Sequence, residues 1–211
     1  GFIIYPAPGH ETENMLKKEC GNKPYLLIAD SLAVKEGETA SPTIQPDHRE
    51  IGRRLGEQLK TKEQKIGIIA DWKMSEAVQA EISGLTEALE SSGSEISWCI
   101  YRRKEQNITE RMKEETKADA LVILDPGVLE EFGEQAEHGK YKGAELYGVG
   151  YSLKTVALLD KGNIQGLVVP DGYEIGYKSV KEIAGKIEHK FYKMQGYTTE
   201  YQIFSKKDFS M

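Results

Sequence analysis

The sequence predicts an α/β protein built on mostly parallel, doubly wound sheets. Three observations lead there. Apolar strand-like runs alternate with helical segments along the whole chain. Several runs are short and continuous, as in Ile66-Gly67-Ile68-Ile69, which suits strands covered on both faces. The caps and turns fall where strand-to-helix connections need them.

Taken in order, the strand-like runs lie at 2–5, 25–29, 65–70, 96–100, 120–124, 145–149 and 166–169. Between them, apolar residues recur three and four apart. Ile51, Leu55 and Leu59 mark one helix, Val78, Ile82, Leu85 and Leu89 a second, and Val180, Ile183, Ala184 and Ile187 another. Asp47 is a suitable N-cap for a helix over 48–60, with Glu50 three residues on as its capping-box partner. Ser75 starts the next helix, with Glu76 and Gln79 in its first turn, and Ser91-Ser92-Gly93 ends it. Pro126-Gly127 follows the strand that ends at Leu124, and Gly162-Asn163 makes the turn before 166–169.

The 211 residues are 39% hydrophobic and 29% charged, enough for one large domain or two small ones. A formal charge of −6 and a pI near 5.4 give a surface that repels phosphate backbones. Nucleic acid and anionic membrane are therefore not expected partners. No apolar run approaches the roughly 20 residues of a membrane helix. The chain opens directly on the apolar strand Phe2-Ile3-Ile4-Tyr5, which reads as a fragment whose upstream part is missing. Cys20 and Cys99 form no CxxC pair and are expected as free, partly buried thiols.

Most reactive motifs are absent. Nothing matches the phosphate loop Gly-x4-Gly-Lys-Ser/Thr, and no serine sits in a GxSxG elbow. Gly148-Val149-Gly150 lacks the third glycine of a dinucleotide fingerprint and reads as a tight strand–helix turn. His10, His48, His138 and His189 never share a helix face, so no metal site is expected and each reads as a surface or capping histidine. Asn107-Ile108-Thr109 fits a glycosylation sequon, a triplet that arises often by chance. Arg102-Arg103-Lys104 reads as a solvated loop. No cofactor and no enzymatic activity are expected.

The strand ends carry the functional signal, because ligands of open α/β sheets bind beyond the carboxyl ends of the strands. Those ends hold Pro6-Ala7, Asp30-Ser31, Asp71-Trp72, Asp125-Pro126, Tyr151-Ser152 and Pro170-Asp171. Carboxylates accept paired hydroxyl hydrogen bonds and aromatic rings cover C–H faces, a mixture suited to sugars. Asp and Ser after strands also cap the next helix, so the same residues have a purely structural use.

The order of elements resembles the type 1 periplasmic sugar-binding proteins of ABC transporters and the effector domains of LacI-type repressors. Residues 2–7 look like the family's strand before its ligand loop, and Tyr25-Leu26-Leu27-Ile28-Ala29-Asp30 is similar to its strand ending in a ligand-contacting acid. Residues 44–56, from Ile44-Gln45-Pro46-Asp47 to Gly56, resemble the crossover into the second lobe. Lys65-Ile66-Gly67-Ile68-Ile69 with Gly84-Leu85, Leu146-Tyr147-Gly148-Val149-Gly150-Tyr151, and Gly162-Asn163-Ile164 resemble its later strand, helix and turn signatures. Val168-Val169-Pro170-Asp171 with Ile175-Gly176-Tyr177 is similar to its return crossover.

The resemblance implies a two-lobed fold, with 1–46 and 169–211 as a partial first lobe and 47–168 as a complete second one. Two upstream strand–helix units, roughly 60 residues, would complete the first lobe. Its exposed edge would then be open to pairing with a neighbouring chain. The family departures are Gly150 and Asp125 for a usual Asp and Asn, and Ser31 and Gln79 where sugar-clamping arginines often sit. The implied function is binding of a small polar ligand, a sugar above all, for a membrane permease or sensor protein in the cell envelope, as a periplasmic protein or extracellular lipoprotein. The alternative is the effector half of a LacI-type regulator. The expected ligand-binding residues are Asp30, Trp72, Ser75, Gln79, Asp125, Tyr151 and Asp171. The ending Tyr201-Gln202-Ile203-Phe204 is expected as a strand that closes the first lobe.

Overall fold

The computed structural model describes residues 1–6, 13–31, 40–59, 62–70, 75–102 and 107–208. They form two sheets. The first is wholly parallel, in the order β1 (Phe2–Ile4), β2 (Tyr25–Ile28), β3 (Thr43–Pro46) and β9 (Tyr197–Thr199). The second runs β10 (Tyr201–Ser205), β8 (Gly166–Pro170), β7 (Glu145–Val149), β6 (Ala120–Ile123), β4 (Lys65–Ala70) and β5 (Glu95–Tyr101). All of its pairings are parallel except that of β10 with β8.

The pattern of the strands explains the layers. All four residues of β6, Ala-Leu-Val-Ile, are buried, because helices cover both faces of the second sheet. On one face α2 (His48–Leu59) and α3 (Glu76–Leu89) set Ile51, Leu55 and Leu85 against Ile66, Ile68 and Val122. On the other face lie α4 (Ile108–Met112), α5 (Pro126–Glu137) and α6 (Leu153–Asp160), which pack Leu129, Phe132 and Leu158 against Leu121, Ile123 and Leu146. The first sheet has α1 (Glu13–Cys20) and α7 (Gly172–Glu188), and its core is smaller, built on Leu26, Ile44, Ile175 and Ile183. Cys20 is buried and Cys99 half-buried, both as free thiols. Among the described residues no helix is long and apolar enough to cross a membrane.

Each of the seven expected strand runs coincides with a strand. Asp47 does cap α2, its Oδ1 accepting from Glu50 N–H at 3.0 Å. The Glu50 side chain does not close a capping box; it turns outward to Arg53, Arg54 and Tyr201. The C-terminal expectation is corrected. The strand Tyr201–Ser205 belongs to the second sheet, antiparallel to β8 from Tyr201↔Pro170 to Ser205↔Gly166. Only Glu200 separates it from β9 in the first sheet. The open edge of β8 offers unpaired backbone groups that β10 satisfies, and an isolated strand sequence does not say which edge it will join. The chain therefore passes between the sheets three times, at 46–48, at 170–172 and at Glu200.

Candidate functional site

Beyond the end of β2 the backbone kinks. Ala29 takes φ 62°, a left-handed conformation uncommon outside glycine, while its N–H bonds Ile44 O at 2.9 Å. The kink directs Asp30 at the start of α3, which belongs to the other sheet. Asp30 Oδ2 accepts from Ser75 Oγ at 2.7 Å, and Oδ1 accepts from the N–H groups of Ala77 at 3.0 Å and Ser31 at 2.8 Å. Ser75 Oγ in turn accepts from Val78 N–H at 3.1 Å. A carboxylate and a hydroxyl thus share the orphan donors of one helix N-terminus, where negative charge is favoured.

His48 ties the same region from the first turn of α2. Its Nε2 is 2.7 Å from Ala29 O, and its Nδ1 is 2.8 Å from Glu81 Oε1 on α3. A carbonyl oxygen only accepts, so Nε2 carries a hydrogen, and a second proton lies between Nδ1 and the carboxylate. Burial works against the charged imidazole, yet the Glu81 hydrogen bond and charge, with the Ala29 carbonyl and the Asp30 charge, hold His48 above its ordinary 6.5. Burial raises the Glu81 carboxyl as well, against the pull of His48. Both directions describe one proton kept between two buried groups.

The remaining candidates sit on the carboxyl edge of the second sheet and at a crossing. Asp125 is buried, caps α5 by accepting from Val128 N–H at 2.8 Å, and has its other oxygen 3.4 Å from an Arg102 nitrogen. Gly150, at φ 130°, lies so close to α5 that an added Cβ would stand 2.6 Å from Pro126 Cβ. That approach delivers Tyr151, 62% exposed, beside the Asp125–Pro126 corner. Gln79 lies one turn beyond Ser75 and hydrogen-bonds Tyr101 at the end of β5. Asp171 caps α7 through Glu174 N–H at 2.9 Å, and its own N–H bonds Glu200 O at 2.9 Å, which ties two of the crossings together. Trp72, like Ala7 and Asp71, lies outside the described residues.

The structure therefore joins Asp30 to Ser75 directly, with Gln79 along the same helix, and sets Tyr151 near Asp125. Asp125, Tyr151 and Asp171 make no hydrogen bond to the Asp30–Ser75 pair among the described residues. A cavity of about 320 Å³ lies at the first crossing, walled by Ser31, Gln45, Asp47, Glu76 and Thr198 among others. Gln45 Oε1 and, nearby on β9, Thr199 Oγ1 are buried without a hydrogen-bond partner. The hydroxyl, amide and carboxylate groups of the cavity wall can meet hydroxyl groups as both donor and acceptor, while Thr199 lies outside that wall. Among the described residues no three His, Cys, Asp or Glu side chains are grouped to hold a metal.

Sequence reasoning missed four residues here. His48 is not a surface or simple capping histidine; it bridges the lobes. Glu81 lies on the Val78–Leu85 stripe of α3, and that spacing places it on the buried face, a signal available in the sequence. Arg102 is not merely part of a solvated loop, since it faces Asp125. Gln45 gave no signal, because the burial of its Oε1 depends on β3 pairing with the distant strand β9, where it stands opposite Thr198.

No protein-family model and no curated protein matches the chain. Solved structures do. A galactofuranose-binding protein superposes with a TM-score of 0.82 at 13% identity, over 97% of this chain and 75% of its own. The myo-inositol-binding protein of Caulobacter gives 0.76 at 14%, covering 93% and 69%. GanP, a glucose-galactose-binding protein from Geobacillus stearothermophilus, gives 0.74 at 19%, covering 94% and 72%. The chain thus has the two-lobed α/β fold of the type 1 periplasmic binding proteins and spans about seven-tenths of these neighbours' length.

Proposed function

We propose that this protein binds a small polyhydroxylated ligand, a sugar in the first instance, between its two sheets. It would serve as the substrate-binding component of an ABC transporter or of an associated membrane sensor, in the cell envelope or outside the cell. The observation that carries this reading is the shared fold: 93–97% of the chain superposes on proteins named for galactofuranose, myo-inositol, and glucose and galactose. Those neighbours are binding proteins, which favours ligand capture over catalysis and over the repressor-effector reading.

In this reading Asp30, Ser75, Gln79, Asp125 and Asp171 meet ligand hydroxyls, and Tyr151 and Trp72 cover apolar C–H faces. Lobes 1–46 with most of 169–211, and 47–168, close on the ligand about the three crossings. No bond is made or broken; ligand selects the closed arrangement, and a membrane partner reads it. Asp30 already links the lobes through Ser75, so ligand hydroxyls would join an existing inter-lobe contact.

The test is a thermal-shift screen against sugars, polyols and cyclitols. A ligand at 100 times its Kd adds about 2.7 kcal/mol, which for a chain of this size raises Tm by about 5–10 °C. A shift confined to one sugar class, lost in Trp72→Ala and weakened in Asp125→Asn, is the expected result. Unchanged affinity in both variants would remove these residues from the site, and no shift with any compound would remove the sugar reading.

A further inference from the structure

The second lobe carries another cavity, of about 480 Å³, near the amino ends of β6 and β7 and so on the opposite edge from the candidate cleft. Its size is in the range of small-molecule sites. It lies beside α4, a helix of only five residues on the connection from β5 to β6. The floor is apolar, made by Trp98, Met112, Leu121 and Ala144. The Trp98 indole N–H is already committed, donating to Thr116 O at 2.9 Å.

The wall is held in a defined shape. The Tyr141 ring stacks on Phe132 at 4.8 Å between centroids, and its hydroxyl donates to Gln135 Oε1 at 2.6 Å. Tyr141 has φ 57°, between Gly139 at 81° and Gly143 at 91°. A bulky residue in the left-handed region costs free energy, and such outliers gather at functional sites. This turn fixes the ring and sets Lys140 and Lys142 at the mouth, where Lys113 and Lys117 complete the rim.

The charge at that rim runs against the rest of the molecule. Four lysines face one lining carboxylate, Glu115, in a chain of net charge −6. Lys113 is paired with Glu110 at 2.7 Å, and Lys140 is 3.5 Å from Gln135 Oε1. Lys117 and Lys142 have neither ion pair nor hydrogen bond among the described residues, and Lys117 Nζ reaches to 3.9 Å from where a Cβ on Gly143 would stand.

We propose that this cavity is a second ligand site, selective for a small amphipathic anion: a carboxylate or sulfonate on an aromatic or medium-length aliphatic body. The body lies on Trp98 and Leu121, and the anionic head meets Lys117 and Lys142. A sugar does not suit it, because the floor offers hydroxyl groups almost nothing to bond, and desolvating them unpaired is unfavourable. The ammonium groups at the mouth select an anion over a neutral molecule of the same shape.

Octanoate, octanamide and acetate distinguish the contributions of body and head. Binding is followed by calorimetric titration and by the indole N–H resonance of Trp98 in ¹⁵N-labelled protein, assigned with Trp72→Phe. Octanoate is expected to bind saturably and to move the Trp98 resonance, with octanamide at least tenfold weaker and acetate silent. The surface variant Lys117→Glu/Lys142→Glu should weaken octanoate at least tenfold and abolish its advantage over the amide, while Ala144→Leu, which fills the floor, should lose both ligands. The proposal is overturned by equal affinity for acid and amide, by unchanged binding in the lysine variant, or by saturation that leaves Trp98 unmoved. None of these residues lies on the β2–α3 side of the molecule, so either outcome leaves the sugar reading to its own test.

Discussion

His48, which binds Ala29 O of the first lobe and is backed by Glu81 in its own, makes a pH-dependent tie between the lobes, and its sign follows from the direction of both shifts. Each group holds its proton more firmly in the folded protein than in the unfolded chain. The stability contributed by His48 is fully present below 6.5 and is lost as pH rises through its raised folded value. Glu81 is raised too, and because it shares that same proton its shift has the same sign without being a second, independent contribution. Other charges facing the pair are few: Asp30 lies near enough to act on both groups. Urea midpoints measured from pH 6 to pH 9 should fall more steeply in the wild type than in His48→Gln, which retains a donor for Ala29 O but does not titrate. Parallel curves would show that the pair does not titrate across this range. This residue-scale device was half legible. The helical stripe put Glu81 on a buried face, but a lone histidine after a capping aspartate gives no hint that the chain will bring Ala29 O to its other nitrogen. That contact depends on β2 and β3 lying side by side, which is a property of the sheet.

At the scale of elements, the glycines of α2 and α3 decide how closely these two helices approach. A methyl group on Gly52 would overlap the Glu81 carbonyl, and one on Gly84 the Arg49 carbonyl, so the two backbones touch at this crossing. Gly84→Ala forces backbone apart at a cost of about 1–3 kcal/mol, against a gain of about 1 kcal/mol in helix propensity. A net loss of up to about 2 kcal/mol is expected, seen as a lower urea midpoint at unchanged slope. Gly176 gives the converse case: it lies within α7 with nothing in reach of an added Cβ, so Gly176→Ala should stabilise by about 0.5–1 kcal/mol. Equal effects at the two positions would show that propensity, and not close approach, governs both. The periodicity that located α2 and α3 comes from apolar residues and was plain in the sequence. The reason for glycine at 52 and 84 appears only once the helices are packed. The same limit explains β10: its apolar content marked a strand, while its partner was set by the edge that β8 leaves open.

The two lobes differ in how well they are held, and hydrogen exchange should report it. The second sheet is buried on both faces by two extensive clusters, whereas the first rests on Leu26, Ile44, Ile175 and Ile183 with a few partly buried neighbours. Its edge strand β1 exposes Phe2 at 39% and Ile3 at 42%. Regions with few buried apolar contacts open at lower free energy than the global unfolding. Amides of β4, β6 and β7 should therefore exchange by global unfolding, and those of β1 and β2 much sooner, by opening of the first sheet alone. The three crossings do not equalise the lobes, since each is a single strand of backbone, and the side-chain ties Asp30–Ser75 and His48–Ala29 both lie on one flank. A ligand held by both lobes would change that balance, because opening the first sheet would then require releasing the ligand. The sugar that shifts Tm should slow exchange in β2 and β3 more than in β6. Uniform protection without ligand would show that the lobes unfold as one unit, and slowing confined to the second sheet would place the ligand outside the cleft.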